Sequence, residues 1–388
     1  MKEYAVRSTR RLGLASAAAA VATLAAACSN SGSSTTTKSD PASEAPTSSS
    51  AAIDAASYLT PPTALPVTTP VSKAIPTGYK IIFIQGPYPQ ADTIYKGMSA
   101  AAAVLGWSVK HVVYDPTNPA TITTSIESAI AERPNAIVLN GVQYEQFSTE
   151  IPKATAAHVP LFPTIVPATT VAKAQNGVYP VLNADIENGH AGEILGATLA
   201  ADAAKTGKTA HVLQLTVPVV KVALEPEDNG VKSELSARCP DCTRDLLNIN
   251  LPDVFNGKYT QQVVSYLQSH PNVNYVVSDS GQLEDGLGAA LQQAGLANVK
   301  RYGLSATNVQ INELQSGQPG AWTVQPYQVY GWIIIDRIAR VALGDTTDPW
   351  ADEHMGYVVT AANVKGIDPN DPEFPAGYQH QFMKLWNK

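Results

Sequence analysis

Side chains able to do chemistry are scattered along this 388-residue chain rather than gathered. His111, His158, His190, His270, His354 and His380 include no pair spaced i, i+4, so no helix face presents the two imidazoles of a metal site. The acidic run Asp368–Asp371 lacks the glycine and the distal glutamate of a calcium loop. No G-x-S-x-G, H-E-x-x-H or glycine-rich phosphate loop occurs. No catalytic residue, metal ligand or cofactor site is therefore expected, and binding is a better expectation than catalysis. What remains are polar side chains beside backbone breakers. Gln85, Tyr88 and Gln90 surround Gly86, Pro87 and Pro89, and Glu225 and Glu227 lie in the run Leu224-Glu-Pro-Glu-Asp-Asn-Gly230. Amides, hydroxyls and carboxylates so placed can read the donors and acceptors of a small molecule.

Composition narrows the partners. The formal net charge is -7, and residues 1–27 alone carry +3, which leaves the remainder at -10. An acidic chain with no basic stripe argues against nucleic acid. Beyond residue 27 no window approaches the roughly 20 apolar residues of a membrane span. Residues 1–27 read as an export segment, with a basic head (Lys2, Arg7, Arg10, Arg11) and an alanine-rich apolar core. The stretch Leu24-Ala-Ala-Ala-Cys28 resembles a bacterial lipoprotein signal, which implies cleavage before Cys28 and lipid on its sulfur. An ordinary cleaved signal is the alternative, and Arg10-Arg11 keeps a twin-arginine route open beside the general one. Residues 28–77, rich in Ser, Thr, Pro and Ala, read as a flexible tether, and a coil of that length spans roughly 35–40 Å. In an exported chain Cys239 and Cys242, in Arg-Cys-Pro-Asp-Cys-Thr, read as a disulfide that pins a turn.

The elements that must hold the polar residues repeat one unit. Residues 80–84 are a short β-branched run, 85–89 a break and 92–105 a helix stopped by Gly106. Further strands are expected at 108–114, 135–139, 159–164, 178–182, 209–215, 243–249, 275–278, 299–303 and 322–324. Helices are expected at 121–132, 144–157, 189–204, 229–237, 257–269, 283–294, 309–315 and 327–343. Short apolar strands alternating with helices imply parallel sheets covered on both faces. The fold class is α/β, with two doubly wound lobes, and ligands of such sheets sit outside the carboxyl ends of the strands.

From Gly78 onward the order of elements resembles the type I periplasmic binding proteins, the ribose-binding family of ABC importers. The likeness is carried by Leu283-Glu-Asp-Gly-Leu-Gly-Ala-Ala-Leu-Gln-Gln-Ala-Gly295, by Lys300-Arg-Tyr-Gly-Leu-Ser305, by Ala321-Trp-Thr-Val-Gln325-Pro and by Ala184-Asp-Ile-Glu-Asn-Gly189. It implies three hinge crossings, near Asp185, Gln325–Pro326 and Gly356. Lobe one would then be 78–185 plus 326–355, and lobe two 186–325 plus 356–388. The resemblance places Asp185, Asp279, Gln282, Ser305, Gln325 and Tyr327 at the cleft. It also implies departures from the sugar-binding pattern: Ile165-Val166 where Asp-Arg is usual, Glu225 or Glu227 where an arginine is usual, and Ser305 where an Asp is usual. A cleft that loses arginines and gains acid is expected to take a neutral or cationic ligand. The implied activity is that of a monomeric, lipid-anchored capture protein that hands a small molecule (a sugar, polyol or related compound) to an ABC permease and needs no cofactor. A sensor subunit for a membrane kinase and an exported enzyme on the same scaffold are the alternatives.

Overall fold

Strand β1 (Lys80–Gln85) is β-branched or aromatic from Ile81 to Ile84, and only Lys80 is exposed. A strand buried on both faces needs helices above and below, which is the parallel α/β arrangement. The computed structural model describes residues 54–167, 177–345 and 347–388. The export segment, Cys28 and the coil as far as residue 53 lie outside the described residues.

The first sheet has the order β2-β1-β3-β4-β5, all parallel, with β2 at Ser108–Val113, β3 at Ala136–Asn140, β4 at Leu161–Val166 and β5 at Val181–Asn183. The second comprises β6 (His211–Thr216), β7 (Thr243–Asn248), β8 (Tyr275–Ser278), β9 (Lys300–Gly303), β10 (Gly320–Val324) and β11 (Tyr357–Thr360). Its order is β11-β10-β9-β8-β6-β7, so β6 to β10 repeat the order of the first sheet and β11 adds an antiparallel edge. In each lobe the strand order reverses beside the first strand, at β1 and at β6, and doubly wound sheets bind ligands at such a switch point.

Helices α1 (Pro89–Leu105), α2 (Ala120–Ala131), α3 (Tyr144–Phe147) and α4 (Ile151–Ala156) cover the first sheet. The single helix expected over 144–157 is two, because Pro152 has no N–H to continue α3 and begins a new helix instead. The chain enters the second lobe at Asn183, whose side chain accepts from Asp185 N–H at 3.0 Å and caps α5 (Ala184–Thr206). The second lobe carries α6 (Lys221–Arg238), α7 (Leu251–Phe255), α8 (Tyr259–Ser269), α9 (Leu287–Gln293) and α10 (Asn308–Gln315). Helix α6 begins eight residues before the expected 229, with Pro226 inside it. Cys239 and Cys242 are bonded just after it, 5.3 Å apart at Cα.

At Gln325–Pro326 the chain returns to lobe one as α11 (Tyr327–Ala342), which packs on α1. Residues 343–356 lead back to β11, a strand the sequence reading did not anticipate. The tail departs from expectation. Placed in the second lobe by the sequence reading, it forms α12 (Tyr378–Leu385) on α11 instead, and Trp386 stacks on Trp332 at 5.3 Å. Asp336 of α11 accepts from Trp386 Nε1 at 2.8 Å and from Trp350 Nε1 at 2.9 Å. Burial of three indole rings around one satisfied carboxylate holds the tail there.

The tether is also shorter than its expected 28–77. Leu65, Val67, Val71 and Ile75 are buried in the core of lobe one. Val71 N–H donates to Leu385 O at 2.9 Å, Arg340 Nη2 to Thr69 O at 2.7 Å and Trp107 Nε1 to Pro76 O at 2.6 Å. Four apolar residues in an extended Pro-rich segment are enough to dock it where these donors await carbonyls. Among the described residues no helix is long and apolar enough to cross a membrane.

Candidate functional site

The carboxyl ends of the strands of both lobes converge on one cleft of about 240 Å³. From lobe one, β1 leads to Tyr88 and Gln90, β3 to Asn140 and Gly141, and β4 to Ile165. From lobe two, β6 leads to Val217, β8 to Asp279, Ser280 and Gln282, β9 to Leu304 and Ser305, and β10 to Gln325 and Tyr327. The lobes touch across it, since Gln90 Nε2 donates to Ser280 Oγ at 3.2 Å.

Local sequence sets each wall. Gly86 lets the Tyr88 ring fold back, because a Cβ there would sit 2.3 Å from Tyr88 Cε2. Pro89 then starts α1. Ile165 and Ser305 hold left-handed backbone, with φ of 55° and 59°, at matching strand ends of the two lobes. For a β-branched residue this conformation is strained, and such strain collects at ligand clamps. The Ser305 hydroxyl is fixed in a triangle: it donates to Gln325 Oε1 at 2.6 Å and lies 2.5 Å from the Tyr327 hydroxyl, which donates to the same Gln325 oxygen at 2.7 Å.

The electrostatics are acidic. Asp279 is 1% exposed, lines the cleft, and has neither oxygen in hydrogen-bond geometry with a protein donor. Burial raises its carboxyl to about 8, and Asp228 adds to this; Thr216, Gln214 and Glu227 stand near enough to offset part of it. Glu227 lies behind Asp279 and is fully buried. Burial together with Asp279 and Asp228 raises it strongly. Arg244 stands at the back of this group, 3.2 Å from Asp228 Oδ1 and hydrogen-bonded to Gln214. Also lining the cleft, Glu187, buried and raised to about 8, accepts from the Tyr330 hydroxyl. Beside it Asn188 Nδ2 donates to Ala223 O at 2.7 Å. Among the described residues that line the cleft there is no Lys, Arg or His. The rest of the wall is largely apolar, with Ile94, Ile122, Leu224, Leu251, Leu283 and Phe255.

Of the residues read from the sequence, Tyr88, Gln90, Ile165, Asp279, Gln282, Ser305, Gln325 and Tyr327 line the cleft. Four do not. Gln85 is buried beneath it and donates to Asp92 Oδ1 at 2.7 Å. Asp185 is exposed at the start of α5, where the helical turn carries Glu187 and Asn188 inward instead. Glu225 faces solvent and pairs with Lys221 at 3.4 Å, and Glu227 supports Asp279 from behind. Reasoning from the sequence missed Asn140, Gln143, Glu187 and Asn188. Asn140 was in view as the residue that ends the apolar run of β3. Trp322 is core, 2% exposed and away from the cleft. Among the described residues no group of three or more His, Cys, Asp or Glu is placed to hold a metal.

The family model of the periplasmic binding protein domain matches residues 80–346. A comparison with curated proteins finds no match. Among similar solved structures is an ABC sugar transporter subunit from Rhodobacter sphaeroides. It is 19% identical, the match covers 74% of this chain and 99% of that one, and the TM-score is 0.59. A carbohydrate transporter from Acidothermus cellulolyticus in complex with myo-inositol is 19% identical over 75% and 96%, with a TM-score of 0.61. A 5-methylthioribose transporter solute-binding protein from Thermotoga lettingae is 15% identical over 82% and 99%, with a TM-score of 0.64. At these identities the likeness is one of fold.

Proposed function

The chain belongs to the periplasmic binding protein domain family, and from that premise we propose that it captures a small neutral or cationic molecule in the interlobe cleft and delivers it to an ABC permease, with no chemistry of its own. One observation carries this reading: polar side chains at the strand ends of both lobes converge on one cleft, with the buried Asp279 carboxyl on its wall. A buried carboxyl is costly to ionise unless donors or a cation meet it. Closing two lobes on a ligand brings both sets of groups to bear at once and excludes water. The relatives described with bound myo-inositol and 5-methylthioribose support a polyhydroxylated or sugar-like molecule as one class. The acidic, largely apolar wall supports a ligand that is not an anion. Capture for a permease implies a site of action outside the cytoplasm; the N-terminal sequence adds lipid on Cys28 as the means of attachment, and a monomer is the form proposed.

Thermal melting of the purified chain with D-arabinose, myo-inositol, glycerol and a set of small amines tests capture. A ligand at 100 times its dissociation constant adds about 2.7 kcal/mol of stability. Leu304→Trp, which fills the cleft, is expected to abolish that gain; a gain that survives it places the ligand elsewhere. Anchoring is tested by mass spectrometry of membrane fractions. Cys28→Ser is expected to release the protein into the medium, and a variant still held at the membrane contradicts lipidation.

A further inference from the structure

Capture could be served by hydroxyls or by a cation, and the wall chemistry separates the two. We propose that the ligand is an organic cation, with an ammonium or amidinium group on an apolar body, whose charge meets Asp279 while its body lies against Leu224, Leu251, Phe255 and Leu304; this rests on the cleft being the capture site.

Three observations carry it. First, the buried polar atoms of the cleft wall left outside hydrogen-bond geometry include both Asp279 oxygens and Asn140 Oδ1, which are acceptors when Asp279 is ionised. The ligand must bring donors. Second, the hydroxyls and amide oxygen of Ser305, Gln325 and Tyr327 are spent on one another and so are not free to accept from the hydroxyls of a polyol. Third, no Lys, Arg or His stands among the described lining residues, while Asp279 and Glu187 both line the space. The groups that face Asp279 are Glu227 and Asp228 on α6 and Gln214 and Thr216 on β6, with Arg244 on β7 beyond them. Arg244 is engaged by Asp228 and Gln214, so the carboxyl is left for a ligand cation.

The empty site holds a proton on Asp279 up to about pH 8. A ligand cation would take that proton's place, so its affinity should rise from pH 6 to pH 8. A neutral ligand that accepts from protonated Asp279 would show the opposite slope.

The test uses the full chain with tyramine, cyclohexylmethylamine and hexylamine, each beside the alcohol and the carboxylate of the same skeleton. Melting and calorimetry are run at pH 6 and pH 8. The expected result is binding of at least one amine, none of its alcohol or carboxylate twin, and tighter binding at pH 8. Asp279→Asn should lower that affinity by at least about 30-fold while the unliganded variant melts no lower, which separates lost recognition from lost folding. Binding of D-arabinose or myo-inositol with no response to any amine overturns the cation and leaves capture standing. Amine binding that is indifferent to Asp279→Asn also overturns it. Silence from every amine and every polyol contradicts the cation and capture together.

Discussion

Glu187, Glu227 and Asp279 sit on or behind the cleft walls out of reach of bulk water, and burial raises all three above the ordinary carboxylate range. In the unfolded chain those values return to normal. Between about pH 4 and pH 8 the native state therefore binds more protons than the unfolded one, and stability falls as pH rises through about 8. Glu284 and Glu373, each raised by burial to about 7, act in the same direction. His354, pushed down to about 4 by burial and by His190, acts the other way, but only below its ordinary value of 6.5. The unliganded protein should thus have a higher denaturant midpoint at pH 6.5 than at pH 8.5, and the double variant E187Q/D279N should flatten the difference. An equal or higher midpoint at pH 8.5 contradicts the burial of these carboxyls. Asp279 was legible through the family resemblance of the run Leu283–Gly295 that follows it, and its place just after the apolar strand β8 agrees with where a doubly wound sheet presents its ligand groups. Glu187 was not, since which residues of a helix start face inward depends on where its cap falls. With Asn183 as the cap, the turn sends Asp185 outward and Glu187 inward. The pairing of His190 with His354, ring centroids 3.6 Å apart, joins residues from two separate hinge passages and left no trace in local spacing.

Helix pairs that meet at glycine set the positions of these side chains. Helix α1 crosses α11 where Gly97 faces Gln328, and a Cβ on Gly97 would sit 2.0 Å from the Gln328 carbonyl oxygen. Helix α5 crosses α6 in the same manner, with Gly192 against the Glu227 carbonyl at 2.1 Å. That approach brings Glu227 in behind Asp279. Both contacts are with backbone, so no side chain can turn aside. Gly97→Ala is expected to cost about 1–3 kcal/mol or more and to weaken binding less than Gly192→Ala does. Gly192→Ala should cost as much and weaken binding as well, because it displaces the helix that supports Asp279. Melting and titration of the two variants check this, and equal effects on binding would contradict it. The strands were readable from their apolar runs and the long helices from their period. Strand β11 was not, being four residues at an antiparallel edge. Helix α12 carries Tyr378, Phe382 and Leu385 buried at helical spacing, but its eight residues fall short of the length at which period alone separates helix from other structure. The glycine contacts between α1 and α11 are invisible to a linear reading, because their partners lie more than two hundred residues apart.

At the scale of the molecule, the segment after residue 60 and the C-terminal tail are both fastened to lobe one. The N-terminal segment lies along it through Leu65, Val67, Val71 and Ile75, and α12 closes over the same region. Before that, the short turn at Ala55–Leu59 reaches lobe two, where the Tyr58 ring lies 5.1 Å from His190 and Asn363 Nδ2 donates to Leu59 O at 2.7 Å. The segment therefore spans both lobes, which composition alone concealed: Ser, Thr and Pro dominate it, and its four anchoring side chains are spread over eleven positions. Each buried aliphatic side chain contributes at most about 1.5–3 kcal/mol. A chain that begins at residue 78 should consequently melt several degrees lower than one that begins at residue 54, and equal melting would show that the segment is not docked. The account as a whole stands on the position of the ligand. Hydrogen–deuterium exchange, with and without whichever molecule stabilises the chain, locates it directly. Protection is predicted in 85–91, 140–143, 279–283, 304–305 and 325–327, strand ends from both lobes together. Protection confined to one lobe, or to the outer face of lobe one around 158–162 and 338–342, would contradict capture in the cleft.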